Sequence, residues 1–179
     1  MTSEPIKPPS SSVATAHNVL LVVDAESLLL RYPDPSLEPE NPTSIADGFI
    51  FAINGSLTPQ STINDSSITL TLGTGSTFHI RSRTVSLLAE HSVVFYGMSA
   101  GDAGVLSTPE LVVKEDLTVP APDPENPTVP GSHSADDHYW QCTQLATGVE
   151  ACELSFMLID KSCEALGYFR WAVDVKLTN

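Results

Sequence analysis

The stretch Ile68-Thr69-Leu70-Thr71-Leu72-Gly73-Thr74-Gly75-Ser76-Thr77-Phe78-His79-Ile80-Arg81 decides the fold. Its apolar residues recur at every second position: Ile68, Leu70 and Leu72 are set against Thr69 and Thr71, then Phe78 and Ile80 against His79 and Arg81. A strand turns successive side chains to opposite faces, so this alternation describes half-buried β-strands. Gly73-Thr74-Gly75 between the two runs reads as the turn of a hairpin. Working outward, further strands are expected at residues 49–54, 92–96, 111–114, 139–145, 153–159 and 166–177, separated by turn-rich segments.

Asn18-Val19-Leu20-Leu21-Val22-Val23 is a short β-branched run that suits a strand covered on both faces. Asp24 then stands where it can cap one short helix through residues 25–30, which Pro33 and Pro35 stop. Residues 32–47 hold Pro33, Pro35, Pro39 and Pro42 and imply an irregular loop. The segment from Pro120 to Pro130 is too proline-dense for a regular element and implies a loop crossing one end of the fold. Many short strands with almost no helical periodicity predict an all-β fold, an antiparallel β-sandwich of two sheets. It would form a single domain over residues 17–179, after a Ser/Pro-rich flexible N-terminal tail at 1–16.

With 179 residues the chain is long enough for one core and short of two ordinary domains. Eight Lys+Arg against 22 Asp+Glu leave a formal net charge of −14, a surface that repels phosphate backbones and anionic lipid. Nucleic acid and membrane are therefore excluded as expected partners. No run approaches the roughly 18 consecutive apolar residues of a membrane span, and the N-terminal residues lack an apolar signal core. A cytoplasmic protein is expected. The three cysteines show no C-x-x-C spacing, so reduced, partly buried thiols are the simple expectation. A turn at Thr147-Gly148 would nevertheless place Cys142 opposite Cys152 on adjacent antiparallel strands, within reach of a bridge that a reducing compartment disfavours. Asn54-Gly55-Ser56 and Asn64-Asp65-Ser66 read as turns.

Gly97-Met98-Ser99-Ala100-Gly101 matches the G-x-S-x-G nucleophile elbow, and Asp136 and His138 follow in the order a hydrolase triad requires. That chemistry needs a helix straight after the serine, and Gly101-Asp102-Ala103-Gly104 is a poor helix former, so a tight turn is the simpler reading. His133-Ser134-Ala135-Asp136-Asp137-His138-Tyr139-Trp140 gathers two imidazoles, two carboxylates and two aromatic rings directly before a strand. His133, Asp136 and His138 could ligate a metal, although their spacing fits no standard zinc pattern. The same loop suits a sugar better, because carboxylates and imidazoles hydrogen-bond vicinal hydroxyls while an aromatic ring covers the C–H face of a pyranose. A solvated loop with Tyr139 and Trp140 packed in the core is the structural alternative. His79, Arg81 and Arg83 share one strand face and invite pairing with carboxylates, at a solvent face or a subunit interface. Arg170-Trp171 could stack on a ligand, and Trp171 equally suits the core.

Asn18-Val19-Leu20-Leu21-Val22-Val23-Asp24, Arg31-Tyr32-Pro33-Asp34-Pro35-Ser36, Asn41-Pro42-Thr43-Ser44-Ile45 and Gly167-Tyr168-Phe169-Arg170-Trp171 occur in that order. In this the chain resembles the inclusion-body protein family typified by bacterial PixA and AidA, which has fungal relatives. The resemblance runs from Asn18 to Leu177 and includes Tyr139-Trp140. Where the family commonly continues Tyr-x-Trp-Asp-Pro, this chain reads Tyr168-Phe169-Arg170-Trp171-Ala172-Val173-Asp174. The resemblance implies a non-enzymatic, oligomeric β-sandwich, in some members a lectin for fucose- or galactose-containing glycans. For a cytosolic lectin without a signal segment, a defence or toxin role against organisms that ingest or lyse its producer is the hypothesis that follows.

The expectation is thus a cofactor-free, cytoplasmic, homo-oligomeric lectin that binds glycans of glycoproteins or glycolipids. Its ligand contacts would be Asp136, Asp137, His138, Tyr139 and Trp140, with Asp24, Arg81 and Arg170 as further candidates. An inclusion-body or storage protein without a sugar ligand is the alternative, and a serine hydrolase using Ser99 the third.

Overall fold

The computed structural model describes residues 17–54, 67–86 and 90–179. The expected tail at 1–16 lies outside them, as do both Asn-x-Ser turns apart from Asn54. In chain order the elements are β1 (His17–Val23), α1 (Ala25–Arg31), β2 (Thr43–Ser44), β3 (Ile50–Asn54), β4 (Ser67–Thr71) and β5 (Thr77–Thr84). They continue with β6 (Ser92–Ala100), β7 (Glu110–Pro122), β8 (Pro130–Thr143), β9 (Gly148–Ile159) and β10 (Ala165–Thr178).

Two sheets form the expected sandwich. The first has the order β3-β1-β5-β8-β7; the second has β2-β10-β9-β6, with β4 also pairing β10. Most pairings are antiparallel, but β1–β5, β10–β2 and β10–β4 are parallel, so both sheets are mixed. The buried cluster between them includes Phe78 and Leu21 from the first sheet and Phe156, Phe169 and Val175 from the second. Phe95 and Phe169 flank Phe156 with ring centroids 5.1 and 5.4 Å away, an aromatic row along the second sheet.

The strands around Gly73-Thr74-Gly75 are not a hairpin. β4 pairs with β10, whereas β5 pairs with β1 and β8, so the turn carries the chain from one sheet to the other. Alternation placed the side chains correctly: Ile68, Leu70, Phe78 and Ile80 all enter the common core. It carries no information about which strand supplies the hydrogen bonds. The Thr147-Gly148 turn behaves likewise, joining β8 of the first sheet to β9 of the second. Cys142 and Cys152 are therefore not cross-strand neighbours; both are free and buried, and burial above all pushes each thiol up to about 12.

Two other expectations are corrected. β1 is covered on one face only: Val19, Leu21 and Val23 are buried, while Leu20 and Val22 on the opposite face stay partly exposed. The proline-dense segment is strand over most of its length, with β7 running through Pro120 and Pro122 and β8 starting at Pro130. Here β8 has β7 as its partner and no third strand pairs among the described residues, so every second N–H of the ribbon faces outward. Proline at alternate positions removes no ladder bond there.

Asp24 caps α1 as expected, its Oδ1 accepting from the Ser27 N–H at 3.1 Å. Glu150 on the inner face of β9 is 1% exposed. It accepts hydrogen bonds from the backbone of Ala103 at 3.1 Å and Val105 at 2.9 Å, closing the loop after β6.

The proline loop before β2 sits directly on β10: Tyr168 N–H donates to Ser36 O at 2.8 Å, and a methyl group at buried Gly167 would lie 2.5 Å from Pro35 Cγ. Gly167→Ala is expected to lower the unfolding free energy by roughly 1–3 kcal/mol through overpacking, read as a shifted urea midpoint; an unchanged midpoint would refute this seating. A thiol reagent should modify exposed Cys163 alone in the native protein and all three cysteines after denaturation.

Candidate functional site

The segment His133 to Trp140 is not a loop but the body of β8. Its residues therefore alternate between faces, with Asp137 and Tyr139 on the outer face of the first sheet and Asp136, His138 and Trp140 on the other. Five consecutive residues of one strand cannot converge on one ligand. The same periodicity sets His133 on the face opposite Asp136 and His138, and among the described residues no group of His, Cys, Asp and Glu is arranged to hold a metal.

What does converge is a cluster on the outer face built by β5 and β8. The register Phe78↔Cys142, His79↔Gln141, Ile80↔Trp140 brings the expected face of His79, Arg81 and Arg83 beside Tyr139 and Asp137. The Arg81 guanidinium bonds Asp137 at 2.9 Å and lies over the Tyr139 ring, 5.1 Å from its centroid. The His79 ring centroid is 4.1 Å from that of Tyr139. Arg83 reaches the other Asp137 oxygen at 3.9 Å. Tyr139 is consequently only 8% exposed although it points outward.

The remaining candidates hold the fold. Trp140 packs against the core, and its Nε1–H donates to Phe95 O at 3.0 Å, joining β8 to β6 of the opposite sheet. Asp136 accepts from the Asp116 N–H at 2.9 Å and so secures the β7 bulge, where Asp116 takes a φ of 54°. Asp24 is the helix cap. Arg170 lies on the second sheet, donating to Ser44 Oγ at 3.0 Å with Glu153 3.5 Å away. Trp171 is a core residue whose Nε1–H donates to Asp47.

Ser99 sits inside β6 opposite Glu153, in neither a turn nor an elbow, and bends follow it rather than a helix. Asp136 and His138 belong to the other sheet. Two features escaped the sequence: Lys114, which β7 brings opposite Asp137, and the Asp116 bulge. Leu111, Val113, Leu117, Val119 and Ala121 all occupy odd positions, so the apolar spacing runs unbroken through residues 114–117 and gives no sign of the bulge.

A family model described as PixA, inclusion body protein, matches residues 15–177. The chain belongs to the PixA family. The crystal structure of the PixA inclusion body protein from Burkholderia cenocepacia J2315 has the same fold, with a TM-score of 0.76 and 22% identity over 95% of this chain and 99% of that one. No curated protein matches the chain. Among the described residues of this PixA-family chain, no helix is long and apolar enough to cross a membrane.

Burial is the largest influence on His79 and lowers it from its ordinary value of 6.5; the Gln141 hydrogen bond acts the other way, and the charges of Arg81 and Lys114 add to the lowering. The unfolded chain therefore takes up this proton first. Stability from this group is complete above its ordinary value and declines as the pH falls through the window below it. His79→Gln should flatten the dependence of Tm on pH in that window; a slope identical to that of the unaltered protein would show that His79 is not its source.

Proposed function

We propose that this PixA-family chain is a non-enzymatic, cytoplasmic, self-associating protein whose role is to pack with copies of itself into inclusions. The observation that carries this reading is the β7–β8 ribbon. It extends past the last β5 pairing at Trp140 and bears four of the large exposed apolar side chains of the described residues: Leu111, Val113, Leu117 and Val129 at 44, 55, 38 and 47% exposure. A solvent-exposed ribbon with apolar side chains and unpaired edges is a template for association. The −14 charge opposes unlimited growth, so assembly should strengthen as salt screens the surface or as pH approaches the pI of about 4.4.

The carbohydrate-binding role implied by the family resemblance has weaker support from the geometry. Its expected contacts point to two faces of β8, and Trp140, the expected stacking platform, is turned into the sandwich. Static light scattering over a range of concentration and salt, alongside an array of fucosylated and galactosylated glycans, separates the two. Reversible growth in mass with a blank array is the expected result. A monomer at every concentration and salt tested would overturn the assembly reading, and selective glycan binding by that monomer would reinstate the lectin.

A further inference from the structure

Beyond the bulge the β7–β8 ribbon is two-faced. The register Leu117↔Ala135, Val119↔His133, Ala121↔Gly131 places Leu117, Val119, Ala121, Ala135 and Gly131 together on one face, with His133 beside Val119. Of the exposed apolar side chains named above, Leu117 lies on this face, while Leu111 and Val113, before the bulge, lie on the other. The other face carries Thr118, Pro120 and Ser134. The extra residue of the bulge changes the phase of β7, so the apolar face lies on the same side as Asp137 and Tyr139. It is thus continuous with the cationic cluster of the outer sheet.

Charge differs between the two ends of this ribbon. At the base stand Lys114, opposite Asp137, and the Arg81 and Arg83 guanidinium groups. At the tip stand Asp123 and Glu125, with Asp123 holding the turn by accepting from the Glu125 N–H at 2.9 Å. Val119 lies midway. From its partner His133 to Asp137, the partner of Lys114, is four residues along β8, and from Val119 to Asp123 is four residues along the chain. Each span is roughly 13 Å in extended chain.

We infer that this face is a two-fold contact with a second copy of the chain, in which two ribbons lie antiparallel with Val119 near the axis. Only that arrangement covers the apolar stripe of each ribbon with its own equivalent while setting each acidic tip over the cationic base of the other. Such self-complementarity is what an isologous interface requires. This contact rests on the self-association reading above and names the surface that performs it. The apolar stripe supplies the buried centre, and the Lys114, Arg83 and Glu125 charges fix register at the rim.

The test uses the full chain with Cys163→Ser to remove the exposed thiol. Val119→Cys should form a covalent dimer under mild oxidation, and Thr118→Cys on the opposite face should not. Lys114→Glu and Glu125→Lys should each weaken the dimer by about tenfold or more, and their combination should restore it. Equal cross-linking at 118 and 119, or unaltered association in both charge variants, would overturn the antiparallel contact while leaving self-association standing. A parent chain that stays monomeric in light scattering would remove both.

Discussion

The two-residue repeat of side chains along a strand is the constraint on which this molecule depends. It presents Val19, Leu21, Phe78, Ile80, Phe156, Phe169 and Val175 to one interior, and that burial is the main favourable contribution to the fold. The same repeat divides the polar run His133 to Trp140 between two faces. His133 through Trp140 reads as a concentrated site only while it is taken for a loop. As strand β8 it becomes one structural row inside and one charged row outside.

The outer row is locally balanced rather than open. Asp137 is held by Arg81, and the same guanidinium covers Tyr139 while His79 stacks beside it. Partly exposed ion pairs of this kind add little to stability. Their consequence is positional: they keep a cationic edge fixed on a protein that is otherwise strongly acidic. A uniformly acidic surface holds copies apart at long range, whereas a fixed positive edge beside an apolar strip lets one orientation of approach be favoured. Membership of an inclusion-body family and a projecting ribbon are coherent on that basis.

Proline is used in keeping with this layout. In the loop before β2, Pro35 rests against Gly167 and closes the edge of β10. In the ribbon, Pro120 and Pro122 occupy a strand with a single neighbour, where the missing N–H has no bond to lose. One residue type thus signals loop in the first case and strand in the second. Composition alone made both segments look alike.

The alternating runs and the cap at Asp24 were legible in the sequence because each rests on local rules: period two for burial, and a side-chain acceptor three residues before the Ser27 N–H. The shared face of His79, Arg81 and Arg83 was legible for the same reason. Strand partners were not. The turns at Gly73–Gly75 and Thr147–Gly148 are as short as hairpin turns, yet each passes between sheets, because burial is satisfied equally well by a neighbour beside or opposite. The inward turn of Trp140 toward Phe95, the capping of the bulge by Asp136 and the separation of Arg170 from Arg81 all follow from that choice. Sequence determined which side chains are buried, by their spacing; only the tertiary structure decided which of them meet, because hydrogen-bond pairing between strands is set by contacts distant along the chain.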